Sequence, residues 1–448
     1  MNRFFNYLFS MNRNILVMMS FFLLIAFGTL LLMLPQASED GRSMAFVDAL
    51  FTATSASCVT GLVVADTSGH FSLFGEIVLI ILIQLGGLGL MTITTLLSLG
   101  LGQRLDFRSK VLMKEFLNQN ALSDVSRMVK SLVLYTAVIE FSFGSLLAAY
   151  FYMKEGTAKA VYFGYWHAVS AFCNAGFDLF GNYSSLTAFR GDLLVNMVVI
   201  VLIILGGSGF SVIGELSRGW HWQRFSLHTK LVLTVNGILL AAGTLLFWAL
   251  EFRNPGTIGG LSMGEQFLAS LFQSVSSRTA GFNTVDIGAM GSAAMMLMII
   301  LMFIGASPTS TGGGIKTTTM AVLVLSVLAQ LRGKKDVEVF GRRIDQPQID
   351  KAYSIFILAV LWLSMAMFML LVFDGGQHQF KMLVFELFSA FGTVGLGVGI
   401  TPELNIWCKI ILTLTMFIGR IGILTFSMSF FQRTYGRVRY PSENILIG

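Results

Sequence analysis

Charged residues are scarce in this sequence, and their scarcity decides the broad class of protein. Only 12% of the 448 residues are Asp, Glu, Lys or Arg, whereas 55% are hydrophobic. Soluble chains carry about 25% charged residues. The composition therefore excludes an ordinary soluble domain and predicts an all-α polytopic membrane protein whose surroundings are the lipid bilayer.

Residues that build disulfides, metal sites and nucleotide loops are also few or wrongly spaced. Three cysteines without a CxxC pair exclude a disulfide framework and a cysteine zinc site, and the five histidines show no metal-site spacing. The stretch GASPTSTGGGIKTTT (305–319) resembles a phosphate-binding loop, but Ile315 separates Gly314 from Lys316, where a Walker loop has Gly-Lys. We expect this chain to bind no nucleotide.

The long apolar runs contain few ionisable groups, which argues against two other classes of function. An intramembrane enzyme would need paired ionisable side chains, and outside the motifs described below only Glu140 lies well inside a run. A transporter of organic solutes would usually show inverted repeats with paired broken helices, whereas this sequence interrupts one helix. Neither class is favoured, and we expect no enzyme.

Eight apolar runs are long enough to cross a bilayer, which takes about 20 residues. They lie near 15–34, 74–101, 132–151, 193–216, 231–250, 293–331, 353–373 and 406–430. Each odd-numbered run is separated from the next by a partly apolar region too short to span. Such regions predict four re-entrant pore helices that enter and leave on the same side.

Positive charge fixes the expected orientation. The two termini and the loops at 102–130, 218–230 and 332–351 hold 20 Lys and Arg residues, against 7 on the opposite side. The positive-inside rule places both termini in the cytoplasm. This rule also accounts for the basic balance, so no nucleic-acid partner is expected. Three cations remain at membrane depth, namely Arg278, Lys316 and Arg420.

Two sequence marks recur four times in the same phase. The first ends in a glycine followed by a large apolar residue: SASCVTGL (55–62), SAFCNAGF (170–177), VSSRTAGF (275–282) and SAFGTVGL (389–396). The second lies in the following helix: QLGGLG (84–89), ILGGSG (204–209), FIGASP (303–308) and FIGRIG (417–422). Glycine used for helix packing is the alternative explanation, but it would not produce this registration.

The repeats predict four units, each made of a helix, a pore helix, a glycine-bearing loop and a second helix, around a central pore. The expected divisions are repeat 1 at 1–101, repeat 2 at 102–217, repeat 3 at 218–332, repeat 4 at 333–430 and a cytoplasmic tail at 431–448.

Four glycine-bearing loops aimed at one centre suit a cation filter. Glycine permits positive φ and leaves no side chain in the opening, so that backbone carbonyls can replace the hydration shell of K⁺. We name these twelve residues the filter ring: Val59, Thr60, Gly61, Asn174, Ala175, Gly176, Thr279, Ala280, Gly281, Thr393, Val394 and Gly395.

These four loops, the broken helix of the third unit and the arginine in FIGRIG together resemble the Trk/Ktr/HKT superfamily of potassium transporters, most closely its bacterial Ktr membrane subunits. The resemblance covers about residues 15–430. It implies potassium uptake across the bacterial plasma membrane, a homodimer in which each chain has its own pore, and a cytosolic nucleotide-binding regulatory ring of the RCK/KTN type. Plant relatives with serine at the first filter position tend to favour sodium, and Gly61 argues against that here. Coupling to Na⁺ stays open, and a sodium-selective or non-selective monovalent cation transporter of the same architecture is the alternative.

The third unit interrupts its second helix, and we name residues 306–316 the intramembrane loop. Pro308 and three glycines disfavour helix, and such a break is tolerated at membrane depth where it faces water or protein. We expect the loop to gate the pore and Arg420, with Lys316, to hold it or repel cations; a fixed kink is the alternative. The expected gate residues are Ala306, Ser307, Pro308, Thr309, Ser310, Thr311, Gly312, Gly313, Gly314, Ile315, Lys316 and Arg420.

The remaining buried cation, Arg278, occupies the position of Cys58 and Cys173 in its pore loop. We expect it to hold carbonyls of its own loop or to tune the outer pore. Acidic residues of the pore helices are expected to neutralise Arg278 or to cap helices, with attraction of cations as the alternative; they are Asp48, Glu265 and Glu386.

Overall fold

The computed structural model describes residues 13–89 and 125–430, together with positions 443 and 446. The predicted cytoplasmic tail and most of the loop at 102–130 lie outside these ranges. The first unit consists of α1 (Arg13–Leu32), the pore helix α2 (Phe46–Ser57), the short α3 (Thr67–His70) and α4 (Leu73–Leu88), with a 3₁₀ turn at Pro35–Ala37.

The second and third units repeat this order. The second contains α5 (Val125–Glu155), the pore helix α6 (Ala158–Phe172), a 3₁₀ turn at Thr187–Phe189, α7 (Leu193–Ser208) and α8 (Phe210–Leu216). The third contains a 3₁₀ turn at Trp222–Arg224, α9 (Leu227–Glu251), the pore helix α10 (Met263–Ser276), α11 (Ser292–Phe303) and α12 (Thr317–Leu331).

The fourth unit follows a small β-hairpin. Strands β1 (Glu338–Val339) and β2 (Arg342–Arg343) pair antiparallel around Phe340 and Gly341, both of which have positive φ. Then come α13 (Gln346–Asp374), the pore helix α14 (Phe380–Gly392), a 3₁₀ turn at Thr401–Glu403, α15 (Ile406–Ile421) and α16 (Ile423–Phe430). This two-residue strand pair was not expected; otherwise the prediction of an all-α membrane protein is confirmed.

The four units close into a ring because the second helix of each unit packs against the pore helix of the next. The contacting pairs are α4 with α6, α7 with α10, α11 with α14, and α15 with α2, which returns to the first unit. The pore helices supply buried aromatic side chains to the core between the units, among them Phe51, Phe172, Phe272 and Phe385. The loop at the end of each pore helix therefore points to the centre.

The first helix of every unit is long and apolar enough to span a membrane. The second helices differ from the expected continuous spans. Helices α7 and α8 meet at 105°, and α15 and α16 meet at 98°. The expectation that only the third unit interrupts its second helix is therefore wrong. Each bend lies at the last glycine of the second mark, where Gly209 has φ 92° and Gly422 has φ 91°, values incompatible with a right-handed helix.

The predicted second span continues beyond Gly89 into residues outside the described ranges. Gly89 itself has φ 79°, the same left-handed conformation as Gly209 and Gly422. In the third unit Pro308 takes the corresponding position, and the chain there forms a loop between α11 and α12 instead of a bend.

Candidate functional site

The four filter glycines form a closed ring. A Cβ atom added to Gly176 would come within 2.8 Å of the carbonyl oxygen of Ala280, and one added to Gly281 within 2.5 Å of that of Val394. A Cβ atom added to Gly61 would overlap the carbonyl oxygen of Ala175, and one added to Gly395 would overlap that of Thr60. Each glycine thus faces the carbonyl that precedes the next unit's glycine, and the series returns to its start. Only glycine fits at these four positions.

The backbone of each filter loop carries two residues of positive φ separated by one residue. The glycines have φ of 94°, 70°, 81° and 91° in chain order. Two positions earlier, non-glycine residues have left-handed φ as well: Val59 (57°), Asn174 (59°), Thr279 (79°) and Thr393 (48°). For branched Val59 and the two threonines this conformation is costly, and such strain persists where packing imposes it, commonly at functional sites. Among these four residues only Asn174 is of a type that tolerates positive φ, so the sequence does not predict this conformation at the other three.

A serine near the end of each pore helix holds the loop that follows. Its carbonyl oxygen accepts the amide of the residue before the filter glycine, and the serines are Ser55 (2.7 Å), Ser170 (2.8 Å), Ser276 (2.9 Å) and Ser389 (2.9 Å). The hydroxyls of Ser55 and Ser389 also accept the amides of Gly61 and Gly395, each at 3.1 Å. Sequence reasoning missed this contact, although a serine six residues before the glycine recurs in three repeats.

Several buried side-chain oxygens of the filter ring lack a hydrogen-bond partner among the described residues. They are Thr60 Oγ1, Asn174 Oδ1 and Thr393 Oγ1. An unpaired buried acceptor costs about 1–3 kcal/mol, so groups of this kind normally bind water or an ion. All are oxygen acceptors, and the pore helices end here with the negative end of their dipoles toward the ring. A cation cargo fits this donor set.

The second sequence mark has a packing role that complements the ring. In the first, second and fourth units, a Cβ atom added to the first glycine of this mark would overlap a carbonyl oxygen of the pore loop. The residue that carries this oxygen lies four positions before the filter glycine. The overlapping pairs are Gly86 with Ser57 O, Gly206 with Phe172 O and Gly419 with Phe391 O. In the third unit, an atom added to Gly305 would overlap the carbonyl of Gly313 in the intramembrane loop. The glycines let each second helix approach the filter closely.

The intramembrane loop lies directly beneath the filter ring. Added Cβ atoms on Gly312 and Gly313 would overlap the hydroxyls of Thr279 and Thr393. The main-chain bonds that hold the loop to other units are Ser307 N to Gly207 O (3.1 Å), Thr311 N to Gly206 O (3.2 Å), Phe210 N to Thr309 O (3.0 Å) and Gly314 N to Gly419 O (3.3 Å). The loop thus bridges the second and fourth units across the axis.

Arg420 and Lys316 both bind carbonyl oxygens at this level. The Arg420 guanidinium donates to Thr311 O of the loop and to Gly86 O and, at 3.3 Å, Gly87 O of the first unit. Lys316 Nζ donates to Gly312 O at 2.6 Å. Arg420 therefore joins the loop to the first unit, while Lys316 closes the loop on itself.

The structure corrects the expectations for Arg278 and for two pore-helix acids. Among the described residues the Arg278 guanidinium donates to one side chain, Asn236 Oδ1, and to no carbonyl of its own loop. Asp48 pairs with Lys409 at 2.8 Å, and Glu386 accepts Thr401 Oγ1 at 2.9 Å. Only Glu265 caps a helix, through a capping box with Ser262. No salt bridge joins any of these acids to Arg278 among the described residues, so none of them neutralises it.

Comparison with known proteins places the whole chain in one family. Residues 6–435 match the family model TrkH, described as cation transport protein. The chain is 42% identical to Ktr system potassium uptake protein B of Bacillus subtilis (96% of this chain, 95% of the relative) and 42% identical to the protein of that name from Vibrio alginolyticus (97% and 94%).

Two further similarities are informative. Potassium/sodium uptake protein NtpJ of Enterococcus hirae is 38% identical over 97% of this chain and 96% of its own length. The crystal structure of the potassium transporter TrkH from Vibrio parahaemolyticus superposes with a TM-score of 0.73 at 19% identity, covering 94% of this chain and 85% of that one, which shows the fold. The ring of four pore loops, the helical architecture and these matches agree: the chain belongs to the TrkH family of cation transport proteins, membrane transporters and not enzymes.

Proposed function

We propose that this protein takes up potassium ions across the bacterial plasma membrane through the filter ring. The observation that carries the proposal is the closed series of four glycines, each facing the carbonyl that precedes the next. Rings of backbone carbonyls replace the hydration shell of K⁺. Two relatives of 42% identity are named for potassium uptake, which supports K⁺ as the cargo.

A potassium and sodium transporter of the same architecture is the second candidate, because a relative of 38% identity is named for potassium/sodium uptake. Only one glycine per loop is shared among the four repeats, which favours a filter shorter than the TVGYG type and less strict between the two ions.

Flux into liposomes that contain the purified full-length chain tests both candidates. We expect K⁺ uptake to exceed Na⁺ uptake, and added external Na⁺ to change K⁺ uptake only if the two ions are coupled. Equal K⁺ and Na⁺ fluxes would favour a non-selective pore. A lack of any monovalent cation flux from folded protein would overturn the proposal.

We further propose that the intramembrane loop is the gate. Supporting this, it lies against Thr279 and Thr393 at the lower end of the ring, and its main chain is held by three hydrogen bonds to the second unit and one to the fourth. The two ends of the loop also lie next to each other, since Thr317 N donates to Ala306 O at 3.3 Å. Deleting Thr311–Ile315 should therefore leave the flanking helices joined and raise basal K⁺ flux. Wild-type flux from the folded deletion variant would favour a fixed kink.

The assembly proposed from the family resemblance is a homodimer with one pore per chain and a cytosolic ring of nucleotide-binding subunits of the RCK/KTN type. The four repeats would be the units bounded as in the sequence analysis, with both termini in the cytoplasm. This chain has no phosphate-binding loop pattern, so nucleotide control would come from the partner. Light scattering of the purified chain at twice its 49.1 kDa mass would support the dimer, and a monomer would contradict it.

A further inference from the structure

Arg278 is a buried cation with almost no partners. The residue is 8% exposed, its guanidinium donates one hydrogen bond, to Asn236 Oδ1, and its Nε atom has none. No salt bridge to Arg278 exists within residues 13–89 and 125–430. Arg420, by contrast, donates three bonds to main-chain carbonyls. An unpaired charge at membrane depth is costly, so Arg278 calls for a counter-charge that the described side chains do not supply.

A cleft opens beside this guanidinium between two membrane helices. Its cavity volume is about 30 Å³, room for a small polar group, and its wall contains Arg278 and Asn236 among apolar residues. The apolar lining comes mainly from α7, α9 and the end of α10, and includes Ile203, Ile204, Leu240 and Val275. Ile204 is 37% exposed, so the mouth faces the outside of the helical bundle, where lipid lies. Since the cleft is open on one side, a small anionic group can enter beside Arg278 while an attached apolar chain stays on the outer face of the helices.

We propose that this cleft binds an anionic amphiphile, a phosphate or carboxylate group with an acyl chain. The anion would pair with Arg278, and the chain would lie against Ile203, Ile204 and Leu240. An inorganic anion would pair with Arg278 but leave the apolar residues without a partner. A neutral lipid would cover the apolar residues but leave the charge of Arg278 unpaired. A phospholipid of negative charge and a free fatty acid both have the required chemistry.

The cleft is connected to the intramembrane loop through Asn236. While Asn236 Oδ1 accepts Arg278, its Nδ2 donates to Ser307 Oγ at 3.1 Å, and Ser307 Oγ also accepts Thr317 Oγ1 at 3.2 Å. Ala306 of the loop lines the cleft as well. A ligand bound in the cleft therefore changes the surroundings of the loop. We expect such a ligand to modulate K⁺ flux as well as to bind, and this effect on flux rests on the proposed gating function.

Binding is tested first, with the full-length protein and native mass spectrometry. The probes are phosphatidylglycerol, phosphatidylcholine, oleate and inorganic phosphate. We expect phosphatidylglycerol or oleate to bind at least about tenfold more tightly than phosphatidylcholine, and Arg278→Gln to remove that preference. If Arg278→Gln does not fold, Ile204→Trp fills the cleft while keeping the arginine and should weaken binding by about tenfold. Ile81→Trp, at a 51% exposed position of α4, is the matched control and should bind normally.

The possible outcomes separate the two steps. Equal binding of phosphatidylcholine, undiminished binding to Ile204→Trp, or binding of inorganic phosphate without need of an acyl chain would each overturn the site. Selective binding with K⁺ flux unchanged by the ligand would overturn the link to the loop and leave the site in place. A lack of flux in the wild-type protein that still binds the amphiphile would instead contradict the proposed function.

Discussion

Gly395 and Gly399 offer a matched pair for testing the filter ring at the level of one residue. Both have φ 91° and lie in one loop, but an added Cβ at Gly395 meets Thr60 O and Gly61 Cα, whereas at Gly399 it meets nothing within 4 Å. Gly395→Ser should lower the K⁺/Na⁺ flux ratio by about tenfold, because it displaces a carbonyl of the ring. Gly399→Ser carries the same φ strain and should leave the ratio unchanged.

Liposome flux of both ions measures this ratio. Serine at Gly61, Gly176 and Gly281 should act like serine at Gly395, since all four face a neighbouring carbonyl. Unchanged ratios at all four positions would remove the filter assignment.

The conformation of single residues shows which features of the site can be predicted from the sequence. The four glycines were visible because they recur in register and because glycine has a special conformational freedom. The left-handed φ of Val59 and Thr393 was not visible, since no local preference favours it and only the surrounding loops impose it. The Arg278–Asn236 contact was also missed, because it joins the first helix and the pore loop of the third unit, and no sequence pattern relates these two positions. The roles of the filter and gate residues stay predictions.

Arg420 is the residue whose removal should most loosen the intramembrane loop. Its guanidinium ties Thr311 O to Gly86 O and Gly87 O, and hydrogen bonds to charged groups contribute about 1.5–3 kcal/mol each. Arg420→Ala should raise basal K⁺ flux by roughly tenfold, and Arg420→Lys by less, because a lysine keeps the charge without the planar fork.

The control is Arg332→Ala, which removes an exposed arginine just after α12. It should carry wild-type flux in the same liposome assay. A folded Arg420→Ala protein with wild-type basal flux would show that the arginine neither holds a gate nor repels cations.

At the level of elements, the ring of units is closed by a link between the first and fourth. The pore helix α2 meets α15, and Asp48 on the former pairs with Lys409 on the latter at 2.8 Å. The lysine side chain is 11% exposed and the aspartate 31%, so the pair is neither fully solvated nor fully buried. Removing one partner should cost about 1–3 kcal/mol, between the values for surface and buried pairs.

Thermal unfolding followed by fluorescence-detected size exclusion can measure this cost. Lys409→Met should lower Tm, and the double variant with Asp48→Asn should recover part of the loss, because no unpaired charge then remains. Lys381→Met, at an exposed position in the first turn of α14, should not change Tm. Additive losses in the double variant would mean that the pair does not couple the two units.

The second helices show why whole elements were harder to predict than the repeats. The apolar runs at 193–216 and 406–430 have the length of a span, and length alone predicts a straight helix. The bends of 105° and 98° arise because Gly209 and Gly422 adopt positive φ, which glycine permits but does not require. An apolar run indicates the length of a span but not the φ angle of a glycine within it, so the hydrophobic pattern does not predict the bend.

At the scale of the molecule, four copies of one unit build a passage that no single unit contains. Each second helix packs on the next pore helix, so the position of every filter loop depends on its neighbours in both directions. The third unit departs from the others by replacing the bend with a loop under the ring, and the fourth by replacing a glycine with Arg420. These two departures contact each other through Arg420 and Thr311, so a frame of four similar units holds one asymmetric loop beneath the ring.

The orientation of the whole chain can be tested by cysteine labelling, because its own three cysteines are buried and should not react with the label. Cys58, Cys173 and Cys408 are all 0% exposed. A cysteine introduced at an exposed position should therefore be the main site labelled by a membrane-impermeant maleimide. The excess of Lys and Arg predicts that the hairpin region lies inside the cell and the α1–α2 connection outside. Glu39→Cys should label in intact cells, and Lys335→Cys only after permeabilisation. Labelling of Lys335→Cys in intact cells, with Glu39→Cys protected, would reverse the proposed topology and with it the side from which a regulatory partner could reach the intramembrane loop.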